Sequence, residues 1–138
     1  MIQKTSTKLQ CKLKNNTRVL IVDDIRINRI VLKKHIEKMS GKTYHADNGL
    51  QAVDLCTENM YDIIFMDNIM PIMDGTTATK LIRSSTINRS TPIIFLTADV
   101  LKESISKYME VGATDFLSKP FRITNLIRIL SEKTDCIE

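Results

Sequence analysis

The sequence predicts an α/β protein: a parallel sheet wound on both faces by helices, giving a three-layer sandwich. Three observations carry this. Tyr61-Asp62-Ile63-Ile64-Phe65-Met66-Asp67 holds four consecutive apolar residues, as in a strand buried on both faces. Arg18-Val19-Leu20-Ile21-Val22 and Thr91-Pro92-Ile93-Ile94-Phe95-Leu96-Thr97 repeat that character. The segments between such runs carry apolar residues at helical spacing, so five strands alternate with five helices.

In chain order, residues 1–17 scatter Lys4, Lys8, Lys12 and Lys14 among polar residues, with only Leu9 and Leu13 to bury, and are expected to be a disordered basic arm or linker. Residues 18–22 form the first strand, which ends in Asp23-Asp24. Asn28, Val31, Leu32, His35, Ile36 and Met39 then line one face of a helix that Gly41 stops. Residues 43–46 read as a short, weak strand, and Asp47-Asn48-Gly49 turns the chain into a second helix that offers Ala52, Val53, Leu55 and Cys56 for packing. The strand ending at Asp67 comes next. Pro71 and Asp74-Gly75 mark the following residues as a loop, and a short helix spans 76–83. A polar connection over 84–90 leads to the fourth strand, where Pro92 is tolerable near the start. Residues 101–111 are helical up to Gly112, residues 114–118 make a fifth strand running into Lys119-Pro120, and Ile123, Leu126, Ile127 and Leu130 mark a last helix. One folded domain over 18–133 is expected, with 134–138 as a tail.

At 138 residues, 43% hydrophobic and 26% charged, the composition is that of an ordinary globular chain. No apolar run approaches the roughly 18 residues of a membrane span, and residues 1–17 lack the apolar core of a secretory signal. Residues 1–18 hold five of the twenty basic side chains and no acid, leaving fifteen bases against sixteen acids, a net of −1. The surplus therefore belongs to an arm and not to a basic face, so no nucleic-acid partner is expected. Cys11, Cys56 and Cys136 are odd in number and widely spaced, which reads as three reduced thiols in a cytoplasmic protein.

Four strand ends carry polar groups: Asp23-Asp24, Asp67, Thr97 and Lys119. Each taken singly has a structural use, such as helix capping, a backbone hydrogen bond or a solvated lysine. In a parallel sheet all four ends lie on one edge, where ligands of open α/β sheets bind. Carboxylates crowded there disfavour one another's ionisation, a cost that a hard divalent cation removes. Asp24 and Asp67 would ligate Mg²⁺ directly and Asp23 through water. Lys119 would pair with a phosphoryl oxygen and the Thr97 hydroxyl would donate to another, an arrangement suited to in-line phosphoryl transfer onto Asp67.

Val22-Asp23-Asp24, Phe65-Met66-Asp67, Met70-Pro71-Ile72-Met73-Asp74-Gly75, Leu96-Thr97-Ala98 and Ser118-Lys119-Pro120-Phe121 together resemble the ordered motifs of response-regulator receiver domains. The resemblance implies a flavodoxin-like (βα)5 fold with sheet order 2-1-3-4-5. It implies phosphorylation of Asp67 by a phosphohistidine on a histidine kinase or histidine phosphotransfer protein, with Mg²⁺ (or Mn²⁺ in its place) held also by the Ile69 backbone carbonyl. Thr97 and Phe116 would form a switch pair, and the Lys119-Pro120 bond would be cis. Asn28, Thr91-Pro92-Ile93-Ile94 and Ser118-Lys119-Pro120 are similar to receivers of hybrid kinases and multistep phosphorelays, which implies a domain that is no enzyme beyond its own phosphorylation and dephosphorylation, monomeric or weakly dimeric, relaying to a phosphotransfer protein. Ile25, Ile69 and Asp99 depart from the commoner residues at their positions, and Phe116 lacks the hydroxyl of the commoner tyrosine.

Two other readings compete: a haloacid-dehalogenase-type phosphatase, which needs an acid where Ile69 stands, and a receiver-like module that is never phosphorylated. Ile27 and Ile30 fall off the first helix's apolar stripe and, with Ile25 and Pro120, are candidates for contact with a partner's helix. His35 and His45 have no ligand partners at useful spacing and read as structural.

Overall fold

A computed structural model describes residues 12–137. Its five-stranded parallel sheet consists of β1 (Arg18–Val22), β2 (Lys42–Ala46), β3 (Ile63–Asp67), β4 (Ile93–Thr97) and β5 (Asp115–Ser118). Their order is β2-β1-β3-β4-β5, as the family resemblance implied. Between and after them run α1 (Arg26–Lys38), α2 (Gly49–Glu58), α3 (Gly75–Ser85), α4 (Lys102–Glu110) and α5 (Ile123–Lys133).

The unbroken apolar runs have a direct cause. Successive strand side chains alternate between faces, and here both faces are covered. Val19 and Ile21, Ile63 and Phe65, Ile94 and Leu96 pack with Leu32 and Ile36 of α1 and with Leu126, Ile127, Ile129 and Leu130 of α5. Leu20 and Val22, Ile64 and Met66, Ile93 and Phe95 pack on the other side with Ala52 and Cys56, Ala78 and Ile82, and Tyr108, from α2, α3 and α4 in turn. Strand β2 is the exception. It lies at the sheet edge, exposes Lys42 and His45, and buries only Ala46, which is why its sequence signal is weak. Asn48 and Asp74 cap α2 and α3, accepting from Gln51 N at 2.9 Å and Thr77 N at 2.8 Å.

Order extends past both expected boundaries. Lys12–Leu13 pairs antiparallel with Cys136–Ile137, and Leu13 is buried in the α1/α5 face. Residues 1–11 of the expected arm lie outside the described residues. Cys136 is disulfide-bonded, which corrects the reading of three reduced thiols; Cys56 is a free, buried thiol whose pKa burial pushes up to about 12.

The connection after α3 is more than polar filler. Asn88 is fully buried; its Nδ2 donates to the Cys56 and Asn59 carbonyls, both at 2.7 Å, and its Oδ1 accepts from Tyr61 N and Thr91 Oγ1, both at 2.9 Å. One side chain thus joins the end of α2 to the entries of β3 and β4. Asn88→Ala leaves these groups unpaired and is expected to lower the unfolding free energy by about 2–4 kcal/mol. Urea denaturation measures this, and a loss under about 0.5 kcal/mol would show that the hub is dispensable.

Candidate functional site

Sheet register assembles the site. Val22 pairs with Met66, which sets Asp23 level with Asp67. Asp67 pairs with Leu96, one residue before Thr97, and Thr97 pairs with Ser118, one residue before Lys119. The four strand ends read from the sequence therefore meet at the carboxyl edge, around a cavity of about 610 Å³ lined by Asp24, Ile25, Asp67, Ile69, Thr97 and Lys119 among others.

Lys119 Nζ lies 3.2 Å from Asp23 Oδ2 and 3.1 Å from Asp67 Oδ1, bridging the two acids. Asp23 is buried, and its other oxygen accepts from Ile25 N at 2.9 Å. One oxygen each from Asp23, Asp24 and Asp67 lie within 4.8 Å of one another. Burial pushes the Asp67 carboxyl above its ordinary pKa; Lys119 opposes this, while Asp23 and, more weakly, Asp24 add to it. Three clustered carboxylates against one ammonium form a hard oxygen donor set with surplus negative charge, and that set fits Mg²⁺. Lys119 N donates to Thr97 O at 2.9 Å, and the Lys119–Pro120 peptide is cis.

The loop after Asp67 is tightly constrained. Gly75 N donates to Asn68 O at 2.8 Å, and a Cβ on Gly75 would collide with the Asp67 carbonyl. Ile72 holds φ at 70°, in the left-handed region that a β-branched residue rarely adopts, and the adjacent Met73 N donates to Pro71 O at 2.7 Å. The Ile69 side chain is 83% exposed on this loop, at the cavity mouth.

Thr97 reaches the site but its hydroxyl is turned to other partners: Asp99 N donates to it at 2.9 Å, and Tyr108 Oη stands 3.1 Å away. The Asp99 carboxylate accepts from Ser104 Oγ and, more weakly, from Leu101 N, bonds that pull its pKa down and tie it to the start of α4. Phe116 is half-buried against the α2–α4 face of the core.

Sequence reasoning missed two residues at this edge. Arg29 Nη1 donates to Asp23 O at 2.7 Å and lies 3.3 Å from Asp47 Oδ1, fastening the acid-bearing loop to the turn after β2. Tyr108 lines the same cavity from α4. Both sit within helices, where spacing marks a face but not the reach of a long side chain; the aromatic at Tyr108 among apolar helix positions was the available signal.

The candidate partner residues do not form one patch. Ile25 and Ile27 are exposed at the start of α1, Ile27 by 61%. Ile30 lines a cleft toward β2 with Arg26, Arg29, Lys33, Tyr44 and His45. Pro120 lines a groove of about 370 Å³ on the α5 side, with Asn28, Val31, Phe121 and Ile123. His35 lines that groove too, its ring edge-on to Phe121 at 6.1 Å, while His45 is exposed on β2.

The sequence model of the response regulator receiver domain family matches residues 19–131. The chain belongs to this family. Among its relatives, transcription factor SKN7 of Saccharomyces cerevisiae is 32% identical over 86% of the chain, and hybrid signal transduction histidine kinase G of Dictyostelium discoideum is 35% identical over 83%. These matches span 19% of SKN7 and 3% of the kinase, so the chain covers about a fifth of one relative and far less of the other. The receiver domain of sensor histidine kinase PA1611 from Pseudomonas aeruginosa, solved with a magnesium ion in its active-site cleft, superposes with a TM-score of 0.78 at 32% identity, covering 86% of this chain and 97% of that one. This receiver domain is thus of the two-component, phosphorelay kind, and the phosphatase reading is not favoured: Ile69 supplies no acid where that chemistry needs one.

The raised pKa of Asp67 has a stability consequence. Between the unfolded and folded pKa of Asp67, the native metal-free state holds a proton that the unfolded chain has released, so this contribution is present at low pH and is lost as pH rises through the folded value. Wherever Asp67 is ionised, its charge is a burden on the metal-free fold. Asp67→Asn is expected to raise the metal-free Tm, and saturating Mg²⁺ to raise the wild-type Tm and erase the difference. Scanning calorimetry with and without Mg²⁺ checks both; a wild-type Tm indifferent to Mg²⁺ would contradict the metal assignment.

Proposed function

We propose that this receiver domain takes a phosphoryl group from a phosphohistidine onto Asp67, with Mg²⁺ held by Asp24, Asp67 and the Ile69 carbonyl and, through water, by Asp23. The observation that carries the reading is Lys119 Nζ standing between Asp23 and Asp67 at 3.2 and 3.1 Å. That ammonium holds Oδ1 of Asp67, and the second carboxylate oxygen attacks phosphorus. A P–O bond forms, the P–N bond to the imidazole breaks, and the imidazole departs with the bonding electron pair and takes up a proton. When bound, Mg²⁺ neutralises charge on the phosphoryl oxygens; Mn²⁺, another hard cation, suits the same donors. Lys119 is placed to shift from carboxylate to phosphoryl oxygen as charge develops there. Thr97 donates to another phosphoryl oxygen, and Phe116 moves with it.

The domain then relays the group to a histidine phosphotransfer protein or changes conformation, with no catalysis beyond its own loading and unloading. It works in the cytoplasm with a kinase or phosphotransfer partner, as a monomer or weak dimer. Among the described residues no helix is long and apolar enough to cross a membrane. Ile25 and Ile27, exposed beside the acids, give a phosphohistidine-bearing helix apolar contact, with Ile30 and Pro120 flanking it on opposite sides of α1.

Incubation with acetyl phosphate and Mg²⁺ is expected to add the mass of one phosphoryl group to the intact protein. Asp67→Asn abolishes the addition and Lys119→Ala slows it on the order of a hundredfold. Equal labelling of wild type and Asp67→Asn would end the proposal. Ile27→Asp is expected to slow transfer from a phosphorylated phosphotransfer protein at least about tenfold while leaving acetyl phosphate labelling intact; parallel loss of both would show damage to the site instead of a docking contact.

A further inference from the structure

Thr97 Oγ1, Tyr108 Oη and the Asp99 carbonyl form a closed triangle in the cavity wall. We propose that Tyr108 is a positioning residue whose hydroxyl holds the Thr97 hydroxyl away from Asp67 and so sets how readily Asp67 is phosphorylated. This deepens, and rests on, the reading of Asp67 as acceptor and Thr97 as donor to a phosphoryl oxygen.

Counting protons makes the case. Thr97 Oγ1 is 3.1 Å from Tyr108 Oη and 3.3 Å from Asp99 O, and Tyr108 Oη is 3.1 Å from Asp99 O. If Thr97 donates to Tyr108, Tyr108 donates to Asp99. If Tyr108 donates to Thr97, Thr97 donates to Asp99. Either way the single Thr97 proton stays inside the triangle, and none is left for an oxygen on Asp67. Asp99 N donates to Thr97 Oγ1 at 2.9 Å and strengthens the hold.

Burial and packing make the latch effective. Thr97 is 6% and Tyr108 4% exposed, so water replaces these bonds poorly. The Tyr108 ring lies 4.8 Å from that of Phe95, centroid to centroid, which fixes the height of its hydroxyl. Phe116, the aromatic on β5, has no hydroxyl to offer. For Thr97 to serve a phosphoryl group it must leave the triangle, and the population of that released state limits the reaction.

Tyr108→Phe keeps the ring and removes the Tyr108 arm of the latch, leaving Thr97 the longer contact to Asp99 O and the bond from Asp99 N. Phosphoryl uptake from acetyl phosphate with Mg²⁺ is expected to quicken roughly threefold to tenfold, the range one net hydrogen bond supports, with beryllofluoride affinity rising in step. In a Thr97→Ala background the same change is expected to do nothing, a coupling that a merely structural role would not produce. Unchanged or slower uptake in Tyr108→Phe, or an equal gain without Thr97, would overturn the latch while leaving Asp67 as acceptor intact. Wild-type protein that takes up no phosphoryl group would instead sink the underlying reading, and the latch with it. If Tyr108→Phe does not fold, wild-type NMR decides: the Tyr108 ring resonances should shift on loading with beryllofluoride and Mg²⁺ but not in Thr97→Ala, and rings unmoved in the wild type would overturn the proposal.

Discussion

Among the described residues, Asp23, Asp24 and Asp67 crowd together with the Lys119 ammonium at the carboxyl edge of the sheet, and the excess of negative charge in that cluster shapes what surrounds it. Asp23 is buried and satisfied by Lys119 and by the Ile25 amide, whereas Asp67 is buried with Lys119 as its one cationic partner among the described residues and keeps a pKa above the ordinary value. Attraction to a single lysine does not offset both desolvation and two like charges. A site left in that condition favours whatever brings positive charge to it. The same imbalance that burdens the metal-free fold is therefore what gives the site its appetite for a divalent cation.

Holding like charges together demands a stiff frame, and the two-sided core supplies it. Every residue of β3 and β4 is buried, so those strands cannot slide without exposing one face or the other. Register fixed by packing is then register of the polar strand-end side chains, since Asp67 and Thr97 directly follow apolar residues and Lys119 follows Leu117 by two. Arg29 and Gly75 act at the margins of this frame. The first pins the Asp23 carbonyl, and the second lets the following helix approach the Asp67 backbone more closely than any side chain allows.

Strand content was legible in the sequence because burial on both faces writes itself as consecutive apolar residues, and the site was legible because polar residues interrupt those runs at one end. Edge strand β2 was faint for the converse reason: with a single fully buried residue it has little to write with. The ribbon pairing Lys12–Leu13 with Cys136–Ile137 joins two short segments at opposite ends of the chain, and two residues carry no period. Asn88, Arg29 and Tyr108 escaped notice because their roles are set by what surrounds them in space. An asparagine in a polar connection looks solvated until its partners prove to be two backbone carbonyls, a backbone amide and a buried hydroxyl.

The orientation of Thr97 shows where pattern ends and geometry begins. Its position after β4 follows from the sequence, but a hydroxyl has one proton, and which acceptor takes it depends on a tyrosine eleven residues away on a neighbouring helix. That link gives the site a mechanical reach that Lys119 lacks. Lys119 can follow charge between oxygens while its backbone stays bonded to Thr97 O. Thr97 cannot turn without releasing both Asp99 N and Tyr108 Oη, the two groups that attach the loop after β4 and the body of α4 to the sheet edge. On the proposed reading, a phosphoryl group on Asp67 that draws Thr97 toward it would be felt at α4, through hydrogen bonds that are individually small but buried, and for which solvent offers no ready replacement.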